Sequence, residues 1–520
     1  MKKFISLLLT LFTAFSVMIC GGCSGGLSEE DKRSALSIEV HSAGYGTDWI
    51  DFMAKEYQKK TGKKVVVSYQ VGGQGLTTMA ANIESLTSDT DLFFMGGASF
   101  TEVYKGQVSV NGQKYPCIYE ELTDLYQTEI EGEGQTVESK MLDNAKNSLK
   151  INDKYYHFPY VAGMQGFIIN KDVWKSSWTV PRTTDELLEL CETIKNEKNA
   201  DKSAPSPVIY SLEDEYWTTM LSVFISQYEG VENMNKLWQG YGPDGARYSH
   251  NLIAYTGVLK SLEFFHELLV DSNGYMYPDS KDVSFTNMQS MFLEGAAVMN
   301  CNGDWLEKEM FTNYPEVEIE MIKTPVLSAV ADKCSFKDAS DKEAKLRTLI
   351  DYVDGVIAEK PEFATPEDVA YITEARSFER VGAGNCAVIP CYANQKQAAK
   401  DFLLFMASDE GLEIFRDNTA GCRIPFDYSG VPEEVNQTAF RKSILDIMET
   451  SVNGGTRKRD KIFTIGEINP YFYNNKYGRF VSVFAASNPK DYKTALEYFT
   501  AEVQAVNTAL PNAKIKAGIN

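Results

Sequence analysis

The sequence predicts an α/β fold built on a mostly parallel sheet, and three observations predict it. Short apolar or β-branched runs alternate with amphipathic helical stretches. Glycine-bearing loops stand directly after those runs. The chain has 520 residues, 43% of them hydrophobic and 24% charged, an ordinary globular composition with length for two to four units of roughly 100–200 residues.

The elements follow in order. Lys2 and Lys3 precede an apolar run from Phe4 to Ile19, the pattern of a signal peptide over residues 1–22. The run is too short and too dotted with Ser and Thr for a span of about 20 residues. Gly21 and Gly22 precede Cys23 as small residues precede the cysteine of a bacterial lipobox, so Cys23 is the expected lipidation site. Cys20, behind Met18 and Ile19, is the poorer candidate, and a plain signal peptide cut nearby is the alternative. The Cys20-x-x-Cys23 spacing lies inside the signal and lacks the folded turn a redox site needs. Residues 23–35 are rich in Gly, Ser and charge and read as a flexible tether.

Leu36 to Val40 is the first strand. A helix from about Asp48 to Lys60 places Ile50, Met53, Ala54 and Tyr57 on one face, with Asp48 and Asp51 at its start and Gly62 at its stop. Val65 to Val71 is β-branched and reads as a buried strand. The loop 72–75 follows, then a helix from Leu76, then a third strand from Asp91 to Met95 and the loop 96–99. Ligands of such sheets bind beyond the carboxyl ends of the strands. Tyr45 and Gln74, in two of these loops, are therefore candidate ligand residues, with a plain turn as the alternative. Gly73-x-Gly75 lacks the third glycine of a dinucleotide fingerprint, and no GxxxxGK[ST] occurs.

Composition excludes several function classes. Lys and Arg total 51 against 72 Asp and Glu, a net charge of -21 that repels phosphate backbones, so no nucleic-acid partner is expected. Nine cysteines are too dilute for a disulfide scaffold, and whether Cys386 and Cys391 pair stays open. The four histidines show no HExxH spacing and no GxSxG occurs, so neither a zinc hydrolase nor a serine hydrolase is predicted. Asp304 with Glu215 as a glycosidase pair would need a separation that sequence does not supply. Asp271 to Gly274 lacks the EF-hand order and reads as a turn. No metal, cofactor or catalytic residue is predicted. The basic island from Thr456 to Lys461 is a solvated loop or, in the sharper reading, a docking point for a permease or lipid headgroups.

The middle of the chain carries a resemblance. Tyr155-Tyr156-His157-Phe158-Pro159-Tyr160 through Gly166-Phe167-Ile168-Ile169-Asn170-Lys171-Asp172 is similar to the hinge crossing of bacterial extracellular solute-binding proteins of family 1, the maltose-binding-protein-like, carbohydrate-type group. Pro181-Arg182-Thr183-Thr184-Asp185-Glu186 matches that family's next element and is a capping box in its own right, with Thr183 capping and Glu186 reaching back. Phe292 to Trp305 resembles the F-x-x-G-x-A-A-M block that ends in a ligand-facing tryptophan. Gln397 to Gly411 resembles a later family helix. Residues from about 328 to 384 and the tail beyond about 436 depart from the pattern.

The resemblance implies a two-lobed type II periplasmic-binding-protein-like receptor, each lobe a mostly parallel sheet flanked by helices, closing over its ligand about a hinge. It places lobe I at 36–160 plus 324–408, with an insertion over 328–384, and lobe II at 161–323 plus 409–520, with crossings near Tyr160 to Gly163, Thr324 and Ser408. It implies a substrate-binding lipoprotein of an ABC importer. Such a protein would be anchored outside the cytoplasm, monomeric, and would deliver a carbohydrate to the transmembrane subunits of a permease. A sensory receptor of the same fold, or a binder of a non-sugar solute, is the alternative. Trp305 matches the family's stacking tryptophan, with Asn302 and Asp304 beside it; core packing is its other reading. Tyr216 and Trp217 fall in a second-lobe loop that supplies aromatic platforms, or in a solvated acidic helix start. Met164 and Gln165 stand at the hinge exit. Arg423, in a late loop, points into the cleft or forms a salt bridge.

Overall fold

The structure is a computed structural model. It describes residues 34–519 except 43, 97–99, 212–215, 279, 338–339, 383, 434–436, 455–459, 467, 469–479 and 486–492, and the side chains of 144 and 147. The expected signal peptide, Cys23, nearly all of the tether, the acids Glu213 to Glu215 and most of the basic island lie outside the described residues.

Two sheets form two lobes. In the first, the strand Leu36–Ser42 lies between Val65–Val71 and Leu92–Met95 and runs parallel to both. Leu36, Ile38 and Val40 are buried there, as their alternation requires. Cys386–Val388 pairs antiparallel with Leu92–Met95, and Phe158–Pro159 antiparallel with Cys386–Val388 in turn, so Cys386–Val388 alone among these five strands runs against the others. Val65–Val71 is not the buried strand expected. It lies at the sheet edge with Val66, Tyr69 and Val71 exposed.

The helix Asp48–Thr61 buries Trp49, Ile50, Met53, Ala54 and Tyr57 and ends on Gly62 at φ 72°, the left-handed conformation glycine adopts without penalty. The glycines expected to form a ligand loop are instead the first turn of a helix, Gly72–Glu84. Gly75 has a packing reason: a Cβ there would lie 2.9 Å from the carbonyl carbon of Gln70, so only glycine lets the helix fold back on the preceding strand.

The second sheet is centred on Gly163–Asn170, antiparallel to Ala297–Gly303, Ile319–Ile322 and Phe378–Gly382. Ser206–Ile209 and Val452–Asn453 extend it by parallel pairing. The cap at Thr183 is present, its side chain accepting from Glu186 N. The reciprocal half differs from the expected box: the Glu186 carboxylate takes the backbone N–H of Arg182 at 2.8 Å and its guanidinium.

The chain first crosses between lobes at 160–163, where the Tyr160 hydroxyl donates to Met95 O at 3.0 Å on one side and Met164 enters the second core on the other. The expected crossings at Thr324 and Ser408 are displaced. Val326, Leu327, Val330, Leu346, Ile350 and Ile372 pack into the second-lobe core, so the described helices and strand between 328 and 382 belong to that lobe. The chain returns after Gly382, and Leu412, Phe415, Ile424 and Phe426 then pack into the first-lobe core. It crosses a third time between Val431 and Phe440, which packs in the second lobe. The tail also belongs there: the helix Ala495–Lys516 buries Tyr498, Val506 and Leu510 in the same core. Sequence order misplaced these crossings because amphipathic helices carry no label for the sheet they cover. Among the described residues no helix is long and apolar enough to cross a membrane.

Candidate functional site between the lobes

The strand Ala297–Gly303 ends at the lobe boundary, and the next two residues, Asp304 and Trp305, stand between the lobes. Two glycines make room for the indole. A Cβ at Gly303 would lie 2.2 Å from its six-membered ring, and one at Gly44, on the first lobe, 2.6 Å from the Trp305 Cβ. Trp305 is half-buried and packs against the first-lobe core without joining it. Its Nε1 donates to the Tyr216 hydroxyl at 3.1 Å, with the rings 5.1 Å apart at 61°. On the other side Tyr45 meets it edge-on at 6.4 Å and 79°. Edge-to-face pairs of this kind are favourable arrangements of the ring quadrupoles. The indole thus has first-lobe and second-lobe aromatics on either side.

Beneath it lies a buried charge cluster. The Tyr45 hydroxyl donates to Asp304 Oδ1 at 3.1 Å. Arg441 reaches the other oxygen, Oδ2, at 3.4 Å, donates to the Asp304 carbonyl at 2.9 Å and pairs with Glu307 at 3.2 Å. Its Nε donates to Ala420 O at 2.9 Å, and Nη2 contacts Cys422 Sγ at 3.1 Å; both partners belong to first-lobe chain. Lys308 adds an inter-lobe ion pair to Asp48 at 2.9 Å. Burial pushes the Asp304 carboxyl above its ordinary range, with the Arg441 guanidinium pulling it back. Burial, then the Asp304 charge, raises the Tyr45 phenol well above its ordinary value. Both oxygens of Asp304 are occupied, so it braces Tyr45 and Arg441.

Of the residues singled out from sequence, Tyr45, Tyr216, Asp304 and Trp305 come together. Asn302 is buried just before them, its Oδ1 accepting from Gly303 N at 2.8 Å. Gln165 lies opposite Gly303 in the sheet, and its Oε1 accepts from Thr219 Oγ1 at 2.7 Å. The amide nitrogens of Asn302 and Gln165 are buried without a partner among the described residues; Gln165 shares the face of Gly303 beside Thr219, whereas Asn302, opposite Gly166, is on the Met164 face. Met164 and Trp217 are not site residues. Met164 packs among Ile168, Phe292 and Met321, and Trp217, fully buried, meets Phe167 edge-on at 5.5 Å. Side-chain alternation along the strand and the turn of the helix send each away from its neighbour, Gln165 or Tyr216. Gln74 is exposed in the first turn of its helix. Arg423 stands at the hinge, its carbonyl accepting from Ala162 N at 2.6 Å and its guanidinium 4.9 Å over the Tyr428 ring. Neither of its expected roles, cleft contact or salt bridge, is among those contacts.

Sequence reasoning missed Arg441, Glu307, Cys422 and Gly44. Arg441 carried one faint signal: it directly follows Phe440, the first residue of a buried stripe with Ile444 and Ile447.

The comparisons agree with this architecture. Residues 43–413 match the model of the bacterial extracellular solute-binding protein family. The chain belongs to that family. Within it, the chain is 25% identical over 193 residues to a multiple sugar-binding protein of Streptococcus mutans, covering 37% of this chain and 43% of the relative. It is 22% identical over 281 residues to a diacetylchitobiose binding protein of Streptomyces coelicolor, covering 54% of each. The chain thus spans about half the length of the curated relatives it matches. An ABC substrate-binding protein from Listeria monocytogenes, solved in complex with cycloalternan, superposes with a TM-score of 0.59 at 14% identity, over 94% of this chain and 99% of that one. The fold is that of the two-lobed type II binding proteins, and in this solute-binding protein the lobes meet at Trp305.

Proposed function

We propose that the protein is the carbohydrate-binding component of an ABC importer, holding a mono- or oligosaccharide between its lobes and delivering it to a membrane permease. The observation that carries this reading is the half-buried Trp305 set between Tyr216 and Tyr45 at the lobe boundary. Sugars present apolar C–H faces and many hydroxyls, and such a wall supplies stacking area for the first. The unpartnered amide of Gln165, beside Thr219 at the start of the Tyr216 helix, supplies a donor for the second. The names of the Streptococcus, Streptomyces and Listeria proteins point to sugars as well. In this reading the protein is a monomer held outside the cytoplasm by a lipid on Cys23, needs no cofactor, and closes on its ligand by hinge motion.

A thermal-shift screen against mono- and oligosaccharides tests it. A true ligand at 100 times its dissociation constant stabilises the fold by about 2.7 kcal/mol. Stabilisation by amino acids or peptides, with none by any sugar, contradicts the reading.

A further inference from the structure

A second concavity lies on the second lobe, away from Trp305. The long helix Tyr216–Trp238 begins in the inter-lobe site and is broken at Gly230, where φ is 75° and ψ is 168°. Only glycine adopts this conformation without cost. Glu374 holds the break by accepting the N–H of Val231 at 3.0 Å. A cavity of about 640 Å³ opens between the far half of this helix, the loop around Gly242 and the start of the helix Thr256–Leu269. Small-ligand sites span about 300–1,000 Å³. Tyr228, on its wall, stands roughly 18 Å along the helix from Tyr216, at about 1.5 Å per residue.

The lining narrows the ligand class. Tyr228, Tyr241 and Tyr255 bring aromatic rings, and Asn233, Gln239 and Thr256 bring uncharged polar groups; no Val, Leu, Ile or Met is among the described lining residues. A lipid or an apolar peptide would find no aliphatic wall. The charges present are engaged. Glu229 accepts the N–H of Gly257 at 2.6 Å. Lys333 donates to the Tyr228 carbonyl and sits 4.8 Å from that residue's ring. Lys236 pairs with Glu232 at 2.6 Å. The two lysines, Lys236 and Lys333, are matched in number by the two acids Glu229 and Glu232, so a charged ligand finds no net counter-charge here. The loop is pinned as well, because the Tyr255 hydroxyl donates to the Tyr241 carbonyl at 2.8 Å.

Aromatic area with amide and hydroxyl groups and balanced charge is the complement of a neutral, hydroxyl-rich molecule. We propose that this cavity is a second binding site, separate from the inter-lobe cleft, for a neutral ligand of mono- to trisaccharide size. The proposal stands on the cavity alone and does not depend on what the cleft binds.

The test uses the full chain labelled with 3-fluorotyrosine, with maltotriose and N,N′-diacetylchitobiose as separate probes. Tyr241 and Tyr216 resonances are assigned by Tyr→Phe variants, so each site has its own reporter. The expected result is a saturable shift at Tyr241 with at least one probe, whose midpoint rises tenfold or more in Asn233→Ala while the midpoint at Tyr216, if it titrates, does not move. Failure of the cleft reading appears at Tyr216 alone. Absence of a saturable Tyr241 shift with either probe overturns the second site. So does a Tyr241 shift whose midpoint Asn233→Ala leaves unchanged, since that reports a remote effect of cleft filling.

Discussion

Replacing Arg441 with methionine tests the buried cluster that joins the lobes. The side chains of Asp304 and Glu307 are 1% and 4% exposed, and among the described residues Arg441 is the cation that pairs with both. Methionine fills much of the volume but removes the guanidinium that pairs with both carboxylates. Breaking a buried pair in this way costs about 3–5 kcal/mol. The cost has a pH signature. Burial already raises the Asp304 carboxyl, and Arg441 is the chief influence opposing that rise, so the variant raises it further. A carboxyl with a raised folded-state pKa loses stability as pH rises through its titration and regains it as pH falls toward the ordinary carboxylate range. Urea melts of wild type and Arg441→Met should therefore differ by about 3–5 kcal/mol at neutral pH and by clearly less in acid. Adding Asp304→Asn should restore part of the loss, because contacting residues are not additive. A neutral-pH loss under about 1 kcal/mol, or one that is the same in acid, would refute this account of the cluster.

Three further outcomes are expected. Glu379 is buried beneath Thr324, with Arg376 and Lys323 nearby, and burial raises its carboxyl from 4.5 to about 7. Stability should fall by roughly 3 kcal/mol as pH rises between those values, and urea melts of Glu379→Gln across that window should show this dependence removed. Gly44→Ala would place a methyl group against Trp305 and Glu309 across the lobe boundary; it should push the lobes apart, so that scattering shows a larger radius of gyration and titration a weaker affinity. Cys23→Ala should leave a ligand-competent body but release it from the membrane fraction; a variant retained at the wild-type level would exclude Cys23 as the anchor.

Much of the fold was legible because local rules decided it. The strand Leu36–Ser42, the helix Asp48–Thr61 with its Gly62 stop and the Thr183 cap each follow from a few adjacent residues. What failed required knowledge of neighbours distant in sequence. Val65–Val71 has the composition of a buried strand, but its place at the sheet edge is set by topology. The segment 328–382 joins the second lobe through contacts such as Arg347 with Glu189, far apart in the chain. The candidate site divides in the same way. Trp305, Asp304, Tyr216 and Tyr45 sit in or beside segments with a recognisable pattern. Met164 and Trp217 adjoin true wall residues but face the core, a difference of one position in side-chain direction. Arg441, in a tail helix with no motif, had only its place after Phe440 to mark it until the fold set it under Asp304.

The central claim is that Trp305 is a ligand platform at the lobe boundary, and one comparison tests it: calorimetric titration of Trp305→Ala with the sugar found by screening, beside a denaturant melt of the same variant. The account predicts a loss of about 2 kcal/mol or more of binding, roughly thirtyfold in affinity, with the fold retained because the indole is only partly buried and packs beside the core without joining it. A variant that loses about 3–5 kcal/mol of stability, as a core cavity would cost, while its folded fraction binds sugar at wild-type affinity, would contradict it.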